Sequence, residues 1–120
     1  EPQALLSAET IIQFQNAIRN MPLSNHVLEY AVKLARSTRP GDPGSKSELR
    51  KLINWGAGPR ASQYLVLAAK ARAALDGRLT PAEEDVRAVA VPVLSHRILI
   101  SFAAEAEGIK VGEIIKQLLE

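Results

Sequence analysis

The sequence predicts an all-α domain, a small bundle of five to six helices with at most a minimal β ribbon. Three observations lead there. Apolar residues recur at spacings of three and four through most of the chain, the period of an amphipathic helix. Serine, threonine and proline stand where such runs begin, and glycine stands where they end. The run from Pro59 to Asp76 is apolar on most faces, which assigns that helix to the centre of the domain. With 120 residues the chain makes one domain, large enough to bury most of the apolar surface that its unfolded form exposes.

Ser7 is placed to cap a first helix through about Asn20, with Ile11, Phe14, Ile18 and Met21 forming one apolar stripe and Pro22 ending it. Ser24 caps a second to about Ser37, carrying Val27, Tyr30, Ala31, Leu34 and Ala35 on its buried side. A short loop between them predicts an antiparallel hairpin. Residues 39–47 hold two prolines, two glycines and two serines, and read as the main surface loop. Ser47 to Trp55 is expected to form a short helix ending at Gly56, with Leu49, Leu52 and Ile53 inward. The Pro59 helix stops at Gly77, and Thr80-Pro81-Ala82-Glu83 predicts a capping box with proline at the first position of the next helix. There Val86, Val89, Ala90 and Val93 face inward, and Pro92, lacking an N–H for Ala88, bends or ends the helix. Residues 98–102 fit a buried helix or a short extended segment equally. Gly108 precedes a last helix, about Val111 to Leu119, with Ile114, Ile115, Leu118 and Leu119 inward.

Composition removes several classes of function. There is no cysteine, so no disulfide framework or thiolate metal site is available, and the chain suits a reducing cytoplasm, the expected location. Fifteen basic and thirteen acidic residues leave a net charge of +2, too close to neutral for a dedicated nucleic-acid binder. No run is long and apolar enough to span a bilayer. His26 and His96 have no second imidazole at ligand spacing, so no metal site is expected and a hydrogen-bonding role suits each better. Glu83, Glu84 and Asp85 occupy a first helical turn, where capping and the helix dipole account for acids. Glu105 and Glu107 read as solvated. No GxxxxGK[ST] loop occurs, so this chain alone should not hydrolyse nucleotide.

One residue stands against the helix dipole. Pro59 suits the first helical position, so Arg60 falls in a first turn, where acidic residues are normal and a cation is unfavourable unless an anion lies nearby. Gly58, Pro59, Arg60 and Ala61 therefore read as a phosphate-facing site, Arg60 offering a planar fork of donors. The alternative is a solvated arginine covering apolar surface with its stem. His96-Arg97 is a second polar pair within apolar sequence, with a structural ion pair, snorkelling or contact with an adjoining subunit as its possible uses. Arg39 sits at a helix C-terminus, where cations are favoured.

The order of these features resembles the C-terminal lid domain of the MoxR family of AAA+ ATPases over most of the chain. The resemblance is carried by Thr38-Arg39-Pro40, the segment from Trp55 to Ser62, Ala68 to Ala73, Gly77-Arg78, Glu84-Asp85-Val86, and Val93 to Arg97. The Gly-x-x-Pro-Arg-Ala segment is similar to the family's sensor 2 motif. The resemblance implies that Arg60 is the sensor 2 arginine, reaching the β/γ-phosphates of ATP, held with Mg2+ mainly by a core domain upstream. Residues 1–6 would then be the hinge, Glu1-Pro2-Gln3 opening an excised piece of a longer protein. Arg78-Leu79-Thr80-Pro81 departs from the apolar residue that relatives usually carry before that proline. The resemblance further implies a hexamer acting in chaperone-like maturation or metal insertion, often beside a von Willebrand factor A domain protein. The rival reading is a stand-alone helical module that binds an acidic protein or nucleic acid through its Arg39–Arg60 surface.

Overall fold

The computed structural model describes residues 1–120. Six helices and one two-stranded ribbon follow in the order α1 (Ala8–Arg19), α2 (Asn25–Ser37), β1 (Ile53–Trp55), α3 (Pro59–Leu75), α4 (Glu83–Leu94), β2 (Leu99–Ile100), α5 (Phe102–Ala106) and α6 (Val111–Leu118). The predicted fold class holds. The core runs along one side of α3, where Ala61, Leu65, Ala69 and Ala73 are buried against α2 and α4, with Ile114, Ile115 and Leu118 of α6 closing the far side. Small alanines at every fourth position let these helices approach α3 closely, and Leu65 fills the gap between them.

Local signals set most boundaries. The hydroxyls of Ser7, Ser24 and Ser101 accept from backbone amides in the first turns of α1, α2 and α5. Gly77, at φ +75°, ends α3: the Arg78 N–H returns to the Ala73 carbonyl and the Gly77 N–H to that of Ala74. Loop 39–47 is pinned to the body by Arg36, which donates twice to the Asp42 carboxylate at 3.0 Å. That pairing, with the Gly44 N–H, holds the Asp42 carboxyl below the usual carboxylate range.

Two expectations need correction. Residues 47–52 form successive turns, not a helix, and 53–55 are strand. Leu49 and Ile53 are buried as expected, but Ile53 pairs with Ile100 and Trp55 with Leu99, partners that no local periodicity reveals. The second correction concerns α4, which starts at Glu83 rather than at Pro81. Its N-cap Ala82 donates its N–H to the Asp85 carboxylate at 2.7 Å, while the Thr80 hydroxyl donates instead to the Pro22 carbonyl. The apolar stripe of α1 lies largely uncovered: no residue of α1 is buried, and Ile11 and Phe14 are exposed. The α4 helix passes through Pro92 and stops two residues later, and residues 98–102 resolve into β2 and the start of α5.

Candidate functional site at the start of the central helix

The segment before α3 is held at both of its polar backbone groups. Thr38, fully buried at the end of α2, donates its hydroxyl to the Ala35 carbonyl at 2.7 Å and accepts the Ala57 N–H at 2.9 Å. Arg39 donates through Nε to the Ala57 carbonyl at 2.8 Å. The two segments touch at Gly56, where a Cβ would lie 2.4 Å from the Thr38 carbonyl oxygen. Thr38-Arg39 thus acts as a clamp on residues 56–57, and Arg39 has a structural role in orienting the first turn of α3. Beside the clamp lies a cavity of about 380 Å³ lined by Arg39, Asn54, Trp55 and the glycine loop, with Trp55 largely exposed.

Beyond the clamp the helix start is open. Gly58 is the N-cap and provides no side-chain acceptor, and nothing lies within 4 Å of the Cβ it lacks. Its carbonyl accepts the Ala61 N–H at 3.0 Å, and the Ala61 side chain points into the core. Of the four residues read as phosphate-facing, Gly58, Pro59 and Arg60 are exposed and Ala61 anchors the turn from beneath. The Arg60 guanidinium forms no hydrogen bond or ion pair; among the arginine side chains only that of Arg19 shares that condition. Six other guanidinium groups are occupied by Asp42, Ala57, Ser45, Asp85 (two of them) and Tyr30, and Arg97 by the Val93 carbonyl. The free Arg60 guanidinium therefore stands at a helix start where the dipole is positive and disfavours a cation.

His96 and Arg97 lie apart from that opening. Arg97 donates to the Val93 carbonyl at 3.0 Å, contacts His96 Nε2, and stacks 4.6 Å from the centre of the Tyr64 ring. Of the uses open to it, the ion pair is not made within this chain; Arg97 joins the end of α4 to α3 through an aromatic face. A cleft of about 450 Å³ borders this pair between α1, α3 and the end of α4. His26 meets Glu83 at 2.7 Å. No three metal-ligating side chains come together, and no helix is long and apolar enough to cross a membrane.

One cluster escaped the sequence reading. Asp85 is fully buried, taking 2.6 Å hydrogen bonds from Arg72 and Arg78, a 2.7 Å bond from Arg78 to its second oxygen, and the Ala82 N–H. The Arg78 guanidinium, aided by Ala82 and Arg72, holds this carboxyl well below the usual range against the effect of burial. Arg72 and Arg78 flanking the Gly77 turn were the available signal, but which of three adjacent acids they meet depends on the crossing of α3 and α4.

The family model for the AAA lid domain matches residues 46–118. Chaperone MoxR1 of Mycobacterium tuberculosis is 28% identical over 121 residues, spanning 99% of this chain and 32% of that protein. Protein MoxR of Paracoccus denitrificans is 39% identical over 83 residues, 69% of this chain and 24% of that protein. A crystal structure from Cytophaga hutchinsonii, provisionally assigned as an ATPase, superposes with a TM-score of 0.87 at 34% identity, covering 98% of this chain and 36% of its own. The chain therefore spans about a third or less of the length of these relatives. The family model's match takes in the glycine loop and the α3–α4 crossing, and the chain belongs to the AAA lid domain family as the lid of a MoxR-family AAA+ ATPase.

Proposed function

We propose that this lid closes over ATP bound with Mg2+ by an AAA+ core elsewhere in the parent protein, and that Arg60 is its sensor 2 arginine. The observation that carries this reading is Arg60 itself: exposed, unpaired, and presented by a helix start that a buried clamp holds in place. Its guanidinium fork suits a β/γ-phosphate pair, and the open turn at Gly58 and Pro59 lets the phosphates approach the backbone. ATP supplies the phosphoanhydride whose cleavage drives the cycle. Arg60 stabilises the charge that develops on the terminal phosphate when the lid is closed, and loses its partner when that phosphate leaves. The lid, tethered through residues 1–6, then swings about that hinge.

The movement would act in a hexamer on client proteins, in chaperone-like maturation or metal insertion; the name of the M. tuberculosis relative supports the chaperone reading. A von Willebrand factor A domain protein is the partner to seek by co-purification. The rival surface, Arg39 with Arg60, loses force because Arg39 is committed to Ala57. In the parent protein, Arg60→Ala should lower ATP turnover on the order of 10–100-fold while changing unfolding stability by no more than about 0.5 kcal/mol. Turnover equal to that of the wild type would end the sensor 2 assignment.

A further inference from the structure

The net charge of +2 is not spread evenly over the chain. Residues 33–51 carry six basic and two acidic side chains, a net +4, while the remaining residues sum to −2. The fold gathers part of this excess around one opening. A second cavity of about 380 Å³ lies between the C-terminal half of α2, loop 39–47 and the end of α6. It is lined by three cations, Lys33, Arg36 and Lys46, with Tyr30, Leu34 and Leu118 as its apolar part and no carboxylate. It shares no lining residue with the clefts beside α1 and the start of α3. The loop at its rim is already fixed. Arg36 holds both oxygens of the Asp42 carboxylate, and the Ser45 hydroxyl donates to the Asp42 carbonyl at 2.8 Å and accepts from Arg50 Nε at 2.7 Å. Lys46 donates to the main-chain oxygens of Gln117 and Glu120 at 3.0 and 2.9 Å. A segment with two prolines and two glycines is thereby held in one shape, so a ligand need not order it first. Of Lys33, Arg36, Lys46 and Arg50, only Arg36 is matched by an acidic side chain, and Lys33 is exposed without any hydrogen bond or ion pair.

The molecule has surface for more than one contact. It measures 47 × 41 × 21 Å, a slab about two helices thick, with a radius of gyration of 16.4 Å where a compact chain of this length would have about 14 Å. Its accessible surface is 8075 Å², where a self-contained monomer of 13.0 kDa exposes about 6,300 Å². The excess, about 1,700 Å², is roughly twice what one partner contributes to a standard protein interface. A core that meets the lid at Arg60, along the outward face of α3 that α1 covers only in part, would account for about half of it.

We propose that the cavity between α2, loop 39–47 and α6 is a docking site for a separate partner protein, which inserts a segment bearing one apolar side chain between carboxylates. The apolar side chain fills the space beside Tyr30, Leu34 and Leu118, and the flanking carboxylates meet Lys33, Lys46 and the free guanidinium nitrogen of Arg50. Charge complementarity selects this occupant, because three of the four cations here lack an acidic side chain to answer them. A nucleic acid fits less well. Its charge runs the length of the strand, whereas the positive charge here is confined to one patch of a chain that is otherwise net negative. Phosphates would also leave the apolar part of the cavity unfilled. The site is separate from the start of α3 and does not depend on Arg60 as the sensor 2 residue.

The test is fluorescence anisotropy with the full-length parent and labelled ligands. The probe is a peptide with one phenylalanine between two short runs of glutamate. A second peptide has serine in place of that phenylalanine, and a single-stranded oligonucleotide of matched charge is the third ligand. The phenylalanine peptide should bind saturably, and Lys33→Glu, which removes no hydrogen bond or ion pair of the fold, should weaken it at least about five-fold. Lys110→Glu makes the same charge change at the other end of α6 and should alter the affinity by less than about two-fold. The serine peptide should bind at least about five-fold more weakly than the probe. No saturable binding, equal binding by Lys33→Glu, equal binding of the serine peptide, or tighter binding of the oligonucleotide would each overturn the proposal. Lys33→Glu should keep the ATP turnover of the parent, and Arg60→Ala should keep the affinity for the peptide, so the docking site and the sensor 2 reading fail independently.

Discussion

Gly56 shows how a single missing atom positions the site. A Cβ there would lie 2.4 Å from the Thr38 oxygen and 2.7 Å from the Arg39 Cα, both backbone atoms, so Gly56→Ala must separate the end of α2 from the glycine loop. An expected loss of about 2–3 kcal/mol should appear as a lower urea midpoint, whereas Gly41→Ala, with nothing within 4 Å, should stay within about 0.5 kcal/mol. Thr38→Val tests the other half of the clamp. It leaves the buried Ala57 N–H without an acceptor, at a cost of about 1–3 kcal/mol, and Thr38→Ser should restore most of it. At this scale the sequence is legible where the cause is local: Pro59 fixes the position of Arg60 in the first turn, and that is where the structure has it. Arg39 is half legible. Its place at the end of α2 follows from the sequence, but its bond to Ala57, eighteen residues on, requires the fold.

The α3–α4 hairpin depends on an element-level device, the Asp85 carboxylate gripped by Arg72 before the turn and Arg78 after it. Removing the charge with Asp85→Asn leaves two guanidinium groups and a buried amide in a site made for an anion. Because both arginines remain partly solvated, the expected cost is about 2–4 kcal/mol, toward the lower end for a broken buried pair. The native carboxyl titrates below its unfolded value of about 3.9, so its stabilisation is complete at neutral pH and is lost as pH falls from about 4 through the native value. Urea midpoints of wild type and Asp85→Asn should therefore differ clearly at pH 7 and converge toward pH 2; a constant gap would mean that the cost is steric. Element boundaries were legible wherever a cap decides them, as at Ser7, Ser24 and Gly77. They were not legible at Glu83, because Asp85 is drawn to Arg72 and Arg78, or at 53–55, because the ribbon partner lies more than forty residues away.

At the scale of the whole molecule, periodicity reveals that α1 is amphipathic but not what covers it, since a stripe at 3.6-residue spacing looks the same whether its partner is within the chain or outside it. The slab shape and the exposed α1 stripe are thus the least legible features, and both follow from a domain that is one part of a larger body. A domain of this kind should gain stability from its partner by mass action, because a docked core binds only the folded lid. At the high effective concentration of a short tether, even weak docking should contribute about 1–2 kcal/mol, enough to raise the unfolding midpoint by roughly 5 °C for a domain of this size. Hydrogen exchange followed through a thermal ramp, comparing peptides from α1 and α3 in residues 1–120 alone and in the parent protein, would report the difference. Equal midpoints would mean that the outward face of α3 is solvated in both, and that its apolar residues are simply an exposed surface; a higher midpoint in the parent, abolished by Phe14→Asp, would tie the excess surface of the isolated domain to the core that it serves.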